Sequence, residues 1–230
     1  MAGNIIFGIP GNSKASANGD GLQSKEDKAK EDTLAAGGFH DRMANFIRSV
    51  NPATPNVRAV DILRKPLMDG LSDANLTGGG VIPTGGGTMM SLSPMLVTHW
   101  DTMPWAFAFR AAYLQTIVGG QYNSFGIYGI AGGNGVAYLT CGTTDITHVS
   151  LELGDNIGGF SARSIGVVPD GFLHDFLVAW DVVTMRVYVD YALTHTVDPS
   201  DLYLYAGPGG LGARGTVSNG LKISDVLYAY

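Results

Sequence analysis

Residues 174–193 read HDFLVAWDVVTMRVYVDYAL, and their periodicity decides the fold. Phe176, Val178 and Trp180 fall on one side of an extended chain. After a two-residue turn, Met185, Val187 and Val189 do the same, with Arg186, Tyr188 and Asp190 opposite. Apolar residues at every second position in two adjacent runs predict a β-hairpin with one face in a core.

Working outward, the same texture continues. From Met95 onward nine short β-prone runs are separated by Gly, Asn, Asp or Pro: WAFAFRAAYLQTI, SFGIYGIAG, GVAYLTCG, THVSLELG, FSARSIGVV, FLVAWD, MRVYVD, LYLYAG and LKISDVLYAY. That spacing predicts a sandwich or barrel. The 33 glycines among 230 residues suit many turns and suit a helical bundle poorly. Residues 1–90 differ: 1–23 hold one apolar patch at Ile5-Ile6-Phe7, then small and polar residues. A helix capped by Ser24 is predicted to stop at Gly37-Gly38, with a second from Asp41 to Val50 carrying Met43, Phe46 and Ile47 on one side. Pro52, Pro55, Pro66, TGGG and PTGGG then predict a linker with one short helix near 58–64. The expected division is an arm and linker over 1–90 and a sandwich over 91–230.

The stretch FLHDFLVAWDVVTMRVYVDYAL resembles the core hairpin of laminin G-like, concanavalin A-like domains. There a strand ending W-D turns into one ending YVDG. Trp180-Asp181 and Tyr188-Val189-Asp190 match, while Tyr191 stands where that family usually has Gly. LKISDVLYAY is similar to its closing strand. The resemblance implies a mainly β, concanavalin A-like jelly-roll sandwich, here preceded by a long N-terminal arm with short helices. Such domains serve as lectins, glycosidases, adhesion modules and viral proteins, so fold leaves function open.

Chemistry is sparse. Glycosidases on this fold carry strands of Glu-x-Asp-x-x-Glu type, and the reaction generally needs a carboxyl pair. Beyond residue 31 the only glutamate is Glu152. The five histidines adjoin no nucleophile elbow, and GGGTMM, GGNG and GPGGLG read as loops rather than phosphate cradles. The oxygens of Asp155-Asn156 and of Asp198 and Asp201 lack calcium-loop spacing and fit turns. No catalytic residue, metal or cofactor is expected. Cys141 is alone, which excludes a disulfide framework and a thiolate zinc site.

Charge narrows the partners. Nine basic residues face seven acidic ones up to Lys65, whereas five face thirteen afterwards. An acidic domain repels a phosphate backbone, so nucleic acid is not expected. No apolar run approaches the roughly 20 residues of a membrane span, and the N-terminus lacks the pattern of a signal peptide. A soluble chain made in a host cytoplasm follows. An arm that cannot order itself points to neighbouring subunits, gripped through Ile5, Ile6, Phe7, Phe46 and Ile47 in a homo-oligomeric assembly. This organisation resembles bacteriophage virion components such as capsid decoration (cement) or tail proteins. The other expectation is a carbohydrate-binding adhesin module, its surface glycan held around Trp100, Trp105, Asp155 and Asn156.

Overall fold

The computed structural model describes residues 25–60, 74–77, 80–83, 88–97, 102–113, 122–129, 135–141, 147–154, 160–167, 169–197, 209–215 and 221–230. Two compact units divide the chain, Met1–Phe39 and His40–Tyr230. A single helix, α1 (Lys25–Val50), runs where two short ones were expected. The Gly37-Gly38 pair lies inside it. Each glycine costs a helix about 1 kcal/mol, which the burial of Met43 and Ile47 within the second unit offsets. Among the described residues no helix is long and apolar enough to cross a membrane.

The strands are β1 (Val57–Val60), β2 (Ala74–Thr77), β3 (Gly80–Pro83), β4 (Thr88–Val97), β5 (Trp105–Tyr113), β6 (Asn123–Gly129) and β7 (Gly135–Cys141). They continue with β8 (Val149–Gly154), β9 (Phe160–Val167), β10 (His174–Trp180), β11 (Met185–Val189), β12 (Ala192–Val197), β13 (Gly209–Gly215) and β14 (Leu221–Ala229). One sheet has the order β12-β11-β10-β5-β14-β3-β2, with β1 also on β14; the other is β4-β13-β6-β7-β8-β9. Every pairing in both is antiparallel. The molecule is a jelly-roll sandwich.

Part of the expected linker is sheet. Val57–Val60 is a strand, not the start of a helix, because it pairs in register with Val226–Ala229. Of the glycine-rich runs expected as loops, the GGLG of GPGGLG lies in β13, an interior strand between β4 and β6, and the TMM of GGGTMM opens β4. LYLYAG and Ser24 lie outside the described residues.

The predicted hairpin is β10–β11, with Phe176 opposite Val189 and Trp180 opposite Met185. Large rings alternate with alanine along β5. Trp105, Phe107 and Phe109 face the core, stacked at 6.1 and 6.2 Å, and Phe109 meets Phe125 of the other sheet at 4.5 Å. Ala106 and Ala108 take the other face, where they are buried with Leu177, Ala179 and Leu227. The second half of α1 lies over that face. Phe46 packs edge-on against Tyr188 and Tyr191, each at 5.2 Å, and Asn51 Nδ2 donates to the carbonyls of Trp105 (3.2 Å) and Trp180 (2.9 Å). Small side chains let a helix approach a pleated surface closely, which is why the alanines sit there.

The turn after β11 is Asp190-Tyr191, with φ of 50° and 67°. Positive φ at both central residues is the geometry that matches strand twist, and it normally selects Asn-Gly or Asp-Gly. Tyr191 bears this strain, of order 1–3 kcal/mol, and offsets it with its ring contact to Phe46 and an Arg42 guanidinium 6.0 Å away.

Candidate functional site

Each sheet has a face turned away from the shared core. On the first sheet it is closed by the helix. On the second, strand alternation that sends Phe125, Leu139 and Leu151 inward sends polar residues outward. Ser124, Thr140, Ser150 and Ser164 stand opposite one another across β6, β7, β8 and β9, forming a hydroxyl row. The next row is Gly126, Tyr138, Glu152 and Ala162. Tyr128 stacks on Tyr138 at 5.2 Å and donates its hydroxyl to Ser124 Oγ at 2.6 Å.

This face is polar yet sequestered. Thr140 is 1% exposed and Glu152 2% exposed, and Thr140 Oγ1 has no hydrogen-bond partner. A Cβ at Gly126 would overlap the Ala137 carbonyl oxygen and the Tyr138 backbone, so glycine is what lets β7 lie this close. Behind the row, Tyr113 reaches across the core and donates to Leu139 O at 2.8 Å. Its complete burial pushes the phenol well above its ordinary range. Glu152 is the only acidic residue in the six strands of this sheet.

A second polar group lies on the helix side of the first sheet. Arg110 Nε donates to Asp175 Oδ1 at 2.7 Å and its Nη2 to Oδ2 at 3.1 Å, and this pairing raises the guanidinium pKa further. His40 Nε2 lies 3.5 Å from Asp225 Oδ1. The first contact joins β5 to β10 within the sheet, and the second ties helix to sheet.

A third surrounds His174 at the end of the β10–β11 hairpin. Its Nδ1 lies 2.7 Å from Asp190 Oδ2, and its Nε2 3.3 Å from Asp170 Oδ2. Desolvation opposes the imidazolium, but hydrogen bonds with Asp190 and Asp170 outweigh it and raise the pKa. Asp170 is lowered: desolvation is outweighed by the Phe172 N–H and by His174.

The expected glycan ring Trp105 is a correction. It is fully buried in the core, since its strand turns the large rings inward, and it offers no platform to a sugar. Phe46 and Ile47 are likewise spent within the chain: Ile47 is fully buried and Phe46 packs on Tyr188 and Tyr191. Ile5, Ile6, Phe7, Trp100, Asp155, Asn156, Asp198 and Asp201 lie outside the described residues. Among the described residues no cluster of His, Cys, Asp or Glu is placed to hold a metal ion. The hydroxyl row was missed in the sequence, although its signal is there, in the polar alternate positions of NSFGIYG, VAYLTC and VSLELG.

No protein-family model matches the sequence, and no curated protein does either. Solved structures match the fold. The carbohydrate recognition domain of Emp47p aligns with a TM-score of 0.50 at 11% identity, over 75% of this chain and 94% of that one. The metal-free Emp46p carbohydrate recognition domain gives 0.50 at 11%, over 74% and 94%. A Bacillus licheniformis β-glucanase gives 0.46 at 14%, over 76% and 92%. The neighbours are concanavalin A-like lectin and glucanase sandwiches, and at such identity the likeness is one of fold.

Proposed function

We propose that this chain is a non-enzymatic carbohydrate-binding module, and that the polar face of β6–β9 holds the sugar. The observation that carries the reading is the hydroxyl row Ser124–Thr140–Ser150–Ser164 beside Tyr138 and Glu152, with Thr140 Oγ1 unpartnered. Ser164 is exposed and Tyr138 half-buried, so these two meet a sugar first, with the buried Ser124, Thr140 and Ser150 behind them; a hydroxyl that both donates and accepts suits a polyhydroxylated ligand. An unsatisfied buried hydroxyl costs about 1–3 kcal/mol, which a ligand hydroxyl would recover. The two carbohydrate recognition domains of like fold agree with this reading at the level of architecture.

Hydrolysis is disfavoured by the same inventory. A glycosidase generally needs an acid and a second carboxylate flanking the bond, and the strands of this sheet offer Glu152 alone. The test is a glycan array of bacterial surface polysaccharides with wild type, Thr140→Val and Glu152→Gln, each first shown to melt cooperatively. Binding by wild type without release of reducing ends is expected, reduced about tenfold or more in Glu152→Gln, where a hydrogen bond to a charged group is lost, and about fivefold in Thr140→Val, where a neutral one of about 1 kcal/mol is lost. Absence of binding to every glycan, or turnover abolished by Glu152→Gln, overturns the reading.

A second reading sets the module in an assembly, as a bacteriophage capsid decoration or tail component in the virion, with its N-terminal arm gripping neighbouring copies. Ile47 is buried and Phe46 packs on Tyr188 and Tyr191 within the chain, so in this reading the grip falls to Ile5, Ile6 and Phe7 of the sequence.

A further inference from the structure

The loop before β10 displays two large apolar side chains on a braced turn. Phe172 is 71% exposed and Leu173 51% exposed. Isolated exposed residues are ordinary, but these two stand on backbone that is held firmly. Gly171, with φ of 82°, donates its N–H to Tyr113 O at 3.0 Å, and Phe172 N–H donates to Asp170 Oδ1 at 2.8 Å. His174 then joins Asp170 to Asp190, and Asp190 Oδ1 accepts the Asp175 N–H at 2.9 Å. The loop is therefore ordered before any partner arrives, so docking on it costs little conformational entropy. Leu193, 55% exposed, is the second residue of the edge strand β12, just beyond the Asp190-Tyr191 turn.

Charge limits what fits. The Asp170 and Asp190 side chains are 37% and 56% exposed beside the apolar pair. No Lys or Arg occurs in sequence between Arg163 and Arg186. An acidic rim around an apolar tip disfavours an anionic bilayer and favours an apolar peptide free of acidic residues. The chain carries such a segment. Before Asp20 it has no acidic residue, it has Lys14, and its large apolar residues gather at Ile5, Ile6, Phe7 and Ile9.

We propose that the Phe172-Leu173 turn is the docking point for the Ile5–Ile9 segment of a second copy of this chain. This rests on the assembly reading above and adds the receiving surface. Met1 to Lys25 spans at most about 80 Å when extended, enough to reach a neighbouring molecule. Donor and receiver are different surfaces, so the contact builds rings or rows, the smallest ring being a pair that exchange their N-terminal segments.

Sedimentation of the full chain tests it at about 50 µM, where a contact of micromolar Kd is mostly formed. Wild type is expected to sediment as a dimer or larger, and Phe7→Asp and Phe172→Ser each as monomers with unchanged melting. Mixing those two variants leaves one intact donor and one intact receiver, so a one-to-one dimer that grows no further is expected. Association that survives Phe172→Ser and Leu173→Ser overturns this docking point while leaving the assembly reading standing. A wild type that stays monomeric overturns both. A mixture that stays monomeric overturns the pairing of these two surfaces. The glycan array is unaffected by either variant, so the two readings fail separately.

Discussion

Ile47→Ala measures how firmly the helix is held on the sandwich. Ile47 is fully buried, and it faces a sheet surface lined by Ala106, Ala108 and Ala179. Truncation removes three carbons from an apolar site, worth about 2.5 kcal/mol in transfer free energy. A cavity term adds ~1–2 kcal/mol, because an alanine floor has no side chain able to swing into the gap. The expected loss is about 3.5–4.5 kcal/mol, or roughly 7–18 °C in melting temperature for a domain of this size. Calorimetry with urea titration as an independent check gives the number. Asp41→Ala, at an exposed position on the same helix, is the control and should change stability by less than about 0.5 kcal/mol. An Ile47→Ala protein within about 1 kcal/mol of wild type would refute the docked helix, since no fully buried isoleucine is lost that cheaply.

Two further outcomes follow from the geometry. Gly126→Ala should lose about 2–3 kcal/mol and expose the hydroxyl face to protease, because its Cβ meets backbone that cannot yield; a melt unchanged from wild type would show that β6 and β7 lie further apart. His174 and Asp170 set a pH window: the raised histidine stabilises below its unfolded pKa and loses this as pH rises through the folded value, while the lowered aspartate stabilises above its unfolded pKa and loses this as pH falls. Chemical denaturation of wild type and His174→Gln between pH 5.5 and 8.5, a range spanning about two units above the ordinary histidine pKa, should show wild type losing stability with rising pH relative to the variant; parallel curves would remove the histidine from the brace.

How much of this was legible depends on what each residue type reports. Alternation is read directly, so the β10–β11 hairpin and the inward Trp180 follow from period two, while the β5–β9 strands follow from β-prone runs bounded by turn residues. Strands without that signal are invisible. β13 is GGLGARG, whose side chains carry almost no pattern, and it is a strand because β4 and β6 supply hydrogen bonds on both sides. The Gly37-Gly38 pair reads as a stop because local propensity says so, whereas the helix continues because residues beyond it are buried. Trp105 illustrates another limit. An aromatic near the start of a strand fits a sugar platform or a core equally well until strand pairing fixes which way it points.

The place of β14 has a consequence for synthesis. It is the last of the described strands to leave the ribosome, yet it sits between β5 and β3 and also holds β1. Until Leu221–Ala229 emerges, β5 has one open side, and Phe107 and Phe109 lack the strand that covers their flank. The nascent chain must therefore hold an incomplete, sticky sheet through most of translation, which exposes it to aggregation and to chaperone capture. Contacts that join distant parts of the sequence, such as Val57 with Ala229, also close late and slow folding. A truncation just before Leu221 would leave a chain that has nearly all of its core residues and no means of closing the sheet around them.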